Sequence, residues 1–362
     1  MNNIKQRLLG SKLLGKCLIK RNKPFYLSFK SNRWGGVLTF GEEIDRNCKL
    51  FLSPEEYADK KLKEKLAVDM VWSYYRYGAV PNEYFLMDFR HIDDKRRSEF
   101  LTVRHKDLMM IQRVGKGEAW DLLEDKFKFY QKFGKYFKRD VLLFDSHCNI
   151  DSFNGFCQKH NRFICKPLEG ECGRGIEIID LASFGNNPSK VFECLSQRGV
   201  CYIIEELIQQ DERMAYWNAS SVNTVRLPCF INKRGFYVLK PFFRMGRSGS
   251  IIDNAALGGV FSVVDEESGV LLTKGTDEFG RSYDVHPDSK HEIKGWQVPC
   301  WKELLALAEE IHKTVPYYTY IGWDFALTKN QGWVLLEGNW GQFISEFADK
   351  EGIKKRFDAM FD

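Results

Sequence analysis

The sequence predicts an α+β protein, because helical and antiparallel-strand patterns dominate different parts of the chain. Across residues 54–102, apolar and aromatic residues recur at helical spacing after the start signal Ser53-Pro54-Glu55-Glu56. In the carboxyl-terminal half, apolar runs flank Gly-containing polar turns, which is typical of β-hairpins. The 362 residues are enough for two or three domains.

The composition is that of an ordinary soluble globular protein, with 44% hydrophobic and 28% charged residues. No apolar run reaches the length that spans a bilayer, and the amino terminus lacks an uninterrupted apolar core with a cleavage site. The net charge of +5 is too small to imply a nucleic-acid partner. Ten cysteines are scattered singly, which argues against a zinc ribbon or a redox pair and predicts free thiols in a reducing compartment. We therefore expect a cytoplasmic protein.

The first 33 residues are basic and carry a helical pattern. They contain nine Lys or Arg and no acid. Apolar residues recur there at near-helical spacing: Ile4, Leu8, Leu9, Leu13, Leu14 and Cys17. Such a helix can lie on an anionic membrane face, as a peripheral contact at the inner side of the membrane. The alternative is a helix packed on its own domain with the basic side in water.

A glycine-rich segment, residues 168–175, lies between two predicted strands, 162–167 and 176–179. Rossmann and Walker loops join a strand to a helix, so the strand that follows here excludes both. The backbone N–H groups of such a segment can close over phosphates, with Lys166 entering from the strand end as a point charge. A plain long hairpin is the alternative. Upstream, a single helix is expected over residues 118–137, and it carries Lys126.

A second hairpin is expected from strands 221–230 and 235–244, and a loop over residues 246–259 follows it. The loop is too rich in glycine and polar residues to be core, and functional loops of this length are common. This region supplies planar, fork-like donors for carboxylate or phosphate groups: Arg226, Arg244, Arg247 and Asn254. A solvated surface side chain is the alternative for each arginine taken alone.

Helices are expected over residues 301–314 and 344–360, and a third hairpin lies between them. A four-residue loop, 329–332, sets Thr328 opposite Trp333. Counting outward from that pair places Asp324 opposite Glu337.

This pairing predicts a metal site. Asn339 points to the same face as Glu337, because side chains alternate along a strand. Two opposed carboxylates repel each other, and a cation between Asp324 and Glu337 removes that repulsion. Two anionic oxygens and one amide oxygen suit Mg²⁺, with Mn²⁺ as an alternative ion. A hairpin with a polar solvent face and no ion is the other interpretation.

Several of these features occur in an order that resembles the ATP-grasp superfamily: Lys126, Lys166 with the glycine-rich segment, Glu205-Glu206-Leu207-Ile208, and Asp324 with Glu337-Gly338-Asn339. Five motifs look like the sugar-transfer-associated ATP-grasp family: SVNTVR (221–226), RMGRSGSIIDN (244–254), GG (258–259), HP (286–287), and IGWD with LEGN (321–324, 336–339). The resemblance runs from about residue 80 to the end. It implies an ATP-grasp fold, in which two α+β subdomains clasp ATP, with a helical amino-terminal subdomain.

The resemblance also implies roles for individual residues. Lys126 and Lys166 bind the α- and β-phosphates, and the segment with Gly170, Gly173 and Gly175 covers them. Glu205, Glu206 and Leu207 form the adenine hinge, the latter two through backbone, and either Asp211 or Glu212 holds the ribose. Asp324, Glu337 and Asn339 hold one or two Mg²⁺. Arg226 and Arg244 lie where related ligases stabilise an acyl phosphate, and Asn254 is a further candidate catalytic residue.

The implied organisation has three parts. Residues 1–110 form the basic segment and the helical subdomain, 111–210 the first nucleotide-binding subdomain with the lid, and 211–362 the catalytic subdomain.

The implied activity is an ATP- and Mg²⁺-dependent ligase that joins a carboxylate to an amine through an acyl phosphate. The setting is cell-surface polysaccharide synthesis, with a small-molecule or lipid-linked sugar and an amino acid or amine as partners. One alternative is a kinase of the same fold that phosphorylates a sugar or polyol hydroxyl. The other is a non-catalytic glycan- or lipid-binding module.

Overall fold

The computed structural model describes residues 9–29, 38–113, 118–168, 175–247, 249, 258–316, 319–340 and 346–362. The strands are β1 (Val141–Phe144), β2 (Arg162–Pro167), β3 (Glu177–Asp180), β4 (Tyr202–Glu206), β5 (Thr224–Asn232), β6 (Gly235–Val238), β7 (Phe242–Met245), β8 (Val260–Val263), β9 (Gly275–Thr276), β10 (Ser282–Tyr283), β11 (Tyr320–Thr328) and β12 (Gly332–Trp340).

The helices, again in chain order, are α1 (Lys12–Arg21), α2 (Lys23–Leu27), α3 (Phe40–Phe51), α4 (Pro54–Ala58), α5 (Lys60–Tyr77), α6 (Pro81–Leu86), α7 (Asp94–Arg97), α8 (Val103–Arg113), α9 (Glu118–Glu124), α10 (Lys126–Phe133), α11 (Ile150–Lys159), α12 (Pro188–Gln197), α13 (Glu212–Ala215), α14 (Trp301–His312), α15 (Glu346–Asp349) and α16 (Lys354–Ala359). None of these described helices is both long enough and apolar enough to cross a membrane.

The chain forms two compact units, Met1–Gly115 with Phe343–Asp362, and Lys116–Gln342. The two sheets both lie in the second unit. The four-stranded sheet falls within the predicted segment 111–210, and the eight-stranded sheet falls within 211–362. The last residues of the chain pack with the first unit.

The first unit is helical, as the pattern predicts, and has its own hydrophobic core. Aromatic residues dominate that core, among them Trp72, Tyr84, Phe89 and Phe100. The predicted start at Ser53 is confirmed: its side chain accepts from the N–H of Glu56, whose carboxylate accepts from the N–H of Ser53.

The expected carboxyl-terminal helix over residues 344–360 is wrong, because the chain breaks between α15 and α16. Lys350 adopts a left-handed conformation with φ 59°. Gly352 then lies directly against the backbone of Glu99, where a Cβ atom would come within 2.3 Å of the carbonyl oxygen. Such a close approach needs glycine and a bend, so a continuous helix cannot form.

The small sheet has the order β1-β4-β2-β3 and is antiparallel throughout. One face packs against α11 and α12 through a buried cluster that includes Phe153, Phe163, Cys165, Leu195 and Ile204. Residues that alternate with these in β2 and β4 point to the opposite face.

The large sheet has the order β10-β9-β8-β7-β5-β11-β12, and β6 also pairs with β5. Its buried face packs against α14 and α10 in the largest core of the molecule. Within that core, Phe129 and Phe133 of α10 contact the ring of Trp323 on β11.

The helix expected over residues 118–137 is divided in two. Asp125 interrupts it, because its side chain accepts hydrogen bonds from the N–H groups of Phe127 and Lys128 and caps α10. Lys126 therefore occupies the first position of a new helix rather than the middle of a long one.

Candidate functional site

The face of the small sheet that points away from α11 and α12 carries a buried ionic cluster around Glu205. Its Oε1 accepts from Nζ of Lys166 at 2.8 Å, and its Oε2 accepts from Nε of Arg139 at 2.8 Å. Glu205 is only 3% exposed. Burial by itself raises the pKa of this carboxyl, but the charges of Arg139 and Lys166 outweigh it and lower the pKa to about 2. Glu205 is therefore an anion that holds both cations.

Arg139 is a site residue that sequence reasoning missed. Its Nη1 donates to the carbonyl oxygen of Leu335 on β12 at 3.0 Å, so one guanidinium connects Glu205 of the small sheet to the large sheet. The same Nη1 also reaches the carbonyl oxygen of Phe137 at 3.2 Å. A single arginine before a strand carries no motif, so only the fold identifies it.

Lys126 lies at the base of the glycine-rich segment. Its Nζ donates to the carbonyl oxygen of Leu168, the first residue after β2, at 3.1 Å. The structure thus brings Lys126 and Lys166 to the same end of the small sheet. Gly175 has φ 74°, a conformation that favours glycine. Gly170 and Gly173 lie outside the described residues.

The expected adenine hinge spans the end of β4. The N–H of Glu206 donates to the carbonyl oxygen of Asp140, and the Glu206 carboxylate accepts from the N–H of Asp140. These contacts extend the pairing of β1 with β4 by one residue at this end of the sheet. Leu207 is the first residue beyond β4, and its backbone role stays a prediction. Asp140, Glu206 and His160 bring ligand atoms within 4.8 Å of one another, but hydrogen bonds to His160 and Lys159 already use the Asp140 carboxylate.

The two candidates for the ribose carboxylate differ in their surroundings. Both oxygens of Asp211 accept from the guanidinium of Arg213, at 2.8 and 2.9 Å. These contacts lower the pKa of Asp211, chiefly through the hydrogen bonds from Arg213. Glu212 is exposed, and among the described side chains its carboxylate contacts only Lys329, at 3.3 Å. Glu212 is the freer of the two, and the choice stays a prediction.

A row of charged side chains crosses one face of the large sheet. Asp324 on β11 pairs with Glu337 on β12 and with Arg226 on β5, and Arg244 follows on β7. Nε and Nη2 of Arg226 donate to the two oxygens of Asp324, and Nη1 of Arg244 donates to Oδ2 at 2.8 Å. The Nδ2 of Asn339 donates to Oε1 of Glu337 at 3.1 Å, so all five lie together.

The predicted pairing of Asp324 with Glu337 is confirmed, but the loop length and the register near the loop from which it was predicted are wrong. The loop has three residues, so Thr328 lies opposite Gly332 rather than Trp333. A β-bulge at Leu336 then adds one residue to β12 and restores the expected register at Asp324. Gly338 is needed beside Glu337, because a Cβ atom there would lie 2.7 Å from the ring of Trp323.

The two carboxylates of this row are in different states. Burial raises the pKa of Asp324, but Arg226 and Arg244 outweigh it and lower the pKa to about 2. The pKa of Glu337 is raised, first because neighbouring protein atoms displace water from its carboxyl group and then because of the negative charge of Asp324. Its side chain is nevertheless 55% exposed, so Glu337 is reached from solvent while Asp324 is not.

These residues fit a hard divalent ion, but the repulsion between Asp324 and Glu337 is not the reason. The repulsion between the carboxylates is met at Asp324 by two guanidinium groups, so it does not by itself require a metal. Glu337 remains exposed with a raised pKa, and an adjacent cation would stabilise its charged form. The amide oxygen of Asn339 adds an oxygen donor of the kind that Mg²⁺ prefers, whereas both oxygens of Asp324 already accept from Arg226 and Arg244.

Three other motif residues have structural partners. Arg247 forms an ion pair with Asp288 at 2.8 Å. His286 is fully buried, and one ring nitrogen contacts the carbonyl oxygen of Gly246 at 3.0 Å. Asn223 accepts from the N–H of Gly246 at 3.0 Å. The motifs therefore anchor the start of the loop over residues 246–259, whereas Asn254 lies outside the described residues.

Comparisons with known proteins bear on this arrangement. The model of the sugar-transfer-associated ATP-grasp family matches residues 106–360. No curated protein matches the sequence. Similar solved structures include D-alanyl-alanine synthetase A from Vibrio cholerae, with 12% identity over 67% of this chain and 61% of that one, at a TM-score of 0.39.

Two further solved structures have similar values. N5-carboxyaminoimidazole synthetase from Staphylococcus aureus, complexed with ADP, is 12% identical over 63% of this chain and 46% of that one, at a TM-score of 0.37. The D-alanine-D-alanine ligase from Coxiella burnetii is 9% identical over 66% and 53%, also at 0.37. The chain thus spans about half of the length of these proteins.

The family match covers well over half of the chain, including both sheets and the charged row. On this ground the chain belongs to the sugar-transfer-associated ATP-grasp family and has the ATP-grasp fold.

Proposed function

We propose that the chain is an ATP- and Mg²⁺-dependent ligase that joins a carboxylate to an amine and releases ADP and phosphate. The observation that carries the proposal is the row Arg244, Arg226, Asp324, Glu337 and Asn339 on one face of the large sheet. Such a row combines fixed cations with an exposed carboxylate. Phosphoryl transfer needs mainly positioning and charge neutralisation, which these groups supply.

Each part of the site has a role in this reaction. Lys126 and Lys166 bind the phosphates of ATP, and Lys166 is already held in place by Glu205. Glu337 and Asn339 hold the metal, which when bound offsets the charge of the terminal phosphates. Mn²⁺ suits the same ligands.

The two arginines act on the activated substrate. The ATP γ-phosphate passes to the substrate carboxylate, and an amine then displaces phosphate from the acyl phosphate. Arg226 and Arg244, fixed by Asp324, neutralise the charge that the acyl phosphate carries. Asn254 is a further donor in this proposal.

The substrate setting rests on the family resemblance and its name. We propose that the amine and the carboxylate come from an amino acid and a sugar acid or amino sugar, free or lipid-linked, in cell-surface polysaccharide synthesis. The proposed location is the cytoplasm. No nucleic-acid partner is proposed.

The test is an ADP-release screen of amino acids against nucleotide-linked and lipid-linked sugars, with product analysis. An amide product supports the ligase. A stable phosphoester identifies a kinase instead, and a chain that does not bind Mg·ATP in calorimetry is a binding module.

Glu337→Gln is the matching variant. Turnover should fall ~10²–10³-fold, as for loss of one preorganised charge-stabilising group. Thermal unfolding should stay at the wild-type temperature or rise slightly, because the repulsion from Asp324 is removed. Glu303→Gln, an exposed glutamate on α14, serves as the control and should leave turnover unchanged. A Glu337→Gln protein with near wild-type turnover contradicts the metal role.

A further inference from the structure

The helical first unit contains a cavity of about 250 Å³. Its walls come from the end of α5, the segment that follows α7, the helix α8, and Lys354 of α16. Ligand pockets typically measure ~300–1,000 Å³, so this cavity suits a compact ligand such as a monosaccharide derivative.

The cavity is strongly basic. Five of the twelve residues that line it are Arg, Lys or His, and none of these twelve is acidic. Arg97 is anchored from behind by Asp69 at 2.8 Å, and Lys354 by Asp358 at 2.6 Å. His105 also contacts Asp358, at 2.7 Å. These three are therefore held by acids that lie outside the cavity.

Arg76 and Arg104 differ, because neither has a carboxylate within ion-pair distance among the described residues. Arg104 is half-buried. Its Nη1 lies 3.4 Å from the carbonyl oxygen of Tyr74, and its guanidinium lies 4.4 Å from the centre of the Tyr74 ring. These contacts orient the guanidinium without neutralising its charge. A partly buried cation among other cations is stabilised by an anion, and a planar guanidinium matches phosphate in particular.

Aromatic side chains form the rest of the wall. Tyr75 and Tyr77 are half-buried and line the cavity together with Phe100. Burial raises the pKa of Tyr77 to about 12, so its hydroxyl stays neutral and can donate a hydrogen bond. Tyrosine combines an apolar ring face with a polar tip, which matches the alternating C–H and O–H groups of a sugar.

We propose that this cavity binds a phosphate-bearing sugar, with the phosphate on Arg104 and Arg76 and the sugar ring against Tyr75 and Tyr77. The proposal does not depend on the ligase reaction, because it concerns binding to the first unit. Soluble and lipid-linked sugar phosphates share this chemistry, so the experiment must separate them.

Calorimetric titration of the full chain with glucose 1-phosphate tests the proposal. Mg·ADP is kept in excess so that the predicted nucleotide site is filled. Arg104→Gln should weaken binding ~10–100-fold, since a charge-assisted contact is among the strong ones. Arg76→Gln should weaken it less, because that side chain is more exposed. Arg46→Gln, an exposed arginine of α3, is the matched control and should bind like wild type. Glucose should bind more weakly than its phosphate by at least tenfold.

Three results would overturn the proposal. They are equal affinity of wild type and both cavity variants for glucose 1-phosphate, equal affinity of the wild type for glucose and glucose 1-phosphate, and no detectable heat of binding for glucose 1-phosphate. Vesicles with phosphatidylglycerol form a separate arm. If the chain binds only these vesicles, and Arg104→Gln abolishes that binding, the cavity recognises a lipid headgroup and not a sugar. Should Arg104→Gln fail to fold, as judged by circular dichroism, Arg76→Gln carries the test, because its exposed side chain contributes little to the core.

Discussion

Glu205 shows how a buried carboxylate can stay ionised in the candidate site. Its two oxygens are divided between Lys166 and Arg139. If a nucleotide phosphate recruits Lys166, Arg139 still neutralises Glu205, so the lysine can be shared at little cost. Under the proposed function, Arg139 therefore leaves Lys166 available to a nucleotide phosphate.

Removing Arg139 should reveal this dependence. In Arg139→Met, Glu205 keeps only Lys166, and the loss of one of its two buried cationic partners should lower the free energy of unfolding by ~1.5–3 kcal/mol. Urea unfolding measures the loss. The double variant with Glu205→Gln should recover part of it, because the buried carboxylate that Arg139 neutralised is then absent. If the double variant is as unstable as Arg139→Met, the cost came from the carbonyl contacts of Arg139 and not from Glu205.

His312 makes stability depend on pH. It is fully buried, accepts from the indole N–H of Trp323 at 2.8 Å and contacts the carbonyl oxygen of Thr319 at 3.1 Å. These contacts use both ring nitrogens of the neutral form. Burial lowers the pKa from 6.5 to about 4. The unfolded chain therefore takes up a proton at a higher pH than the folded chain.

Acidification should accordingly weaken the fold. The contribution of neutral His312 is complete above pH 6.5 and is lost as the pH falls toward 4, by about 3 kcal/mol in total. Urea unfolding at about pH 7.5 and about pH 4.5 should show a smaller loss in His312→Gln than in wild type. Equal losses in the two proteins would assign the acid sensitivity to other groups.

At the scale of elements, the hairpin β11–β12 shows what a sequence can predict. Alternation and a Gly-containing turn sufficed to place Asp324 opposite Glu337. They did not reveal the three-residue loop or the bulge at Leu336, and the two departures cancel at Asp324. A bulge has no composition of its own, because twist and packing against the neighbouring strand favour it. The pair was predictable, whereas the backbone path to it was not.

The cations around these carboxylates were harder to predict. Arg226 was expected to act on substrate, yet its first partner is Asp324, from a strand distant in sequence. Arg139 carried no signal at all. Ion pairs between strands depend on register and sheet order, which local patterns do not contain. The family resemblance supplied the order of the motifs but not these contacts.

The first helices have a surface that the unit itself does not cover. Ile19 of α1 is buried, but Leu13 is 84% exposed, and Phe25 of α2 is 52% exposed. The exposed Lys20 and Arg21 lie on the same short stretch of chain. We propose that this surface contacts an anionic membrane, because exposed apolar residues beside exposed basic ones favour such a surface.

Co-sedimentation of the full chain with vesicles tests that contact. Binding to vesicles with phosphatidylglycerol should exceed binding to neutral ones, and Lys20→Gln with Arg21→Gln should weaken it by roughly 2 kcal/mol. Leu13→Ser with Phe25→Ser should also weaken it. Leu50→Ser, at a leucine of α3 that is 50% exposed, is the control. If neither pair of substitutions weakens binding to the anionic vesicles, the basic segment has no membrane role.

At the scale of the whole chain, the first unit is built from both ends of the sequence. Glu346 of α15 is fully buried, and its carboxylate accepts from the N–H groups of Leu101 and Ile353. A glutamate at this depth could not be predicted as core, since charged residues are rarely buried without partners. Its partners are backbone groups, which no sequence pattern displays.

Glu346→Ala should therefore loosen the first unit and spare the second. Two buried N–H groups lose a charged acceptor, at ~1.5–3 kcal/mol for each such hydrogen bond. Hydrogen exchange should rise in α8 and α16, while the central strands β5 and β11 keep their protection, because each unit has its own core. Lys355→Ala, an exposed residue of α16, should change neither. Equal deprotection of β5 and α8 in Glu346→Ala would mean that the two units unfold as one, and that the buried glutamate stabilises the whole chain.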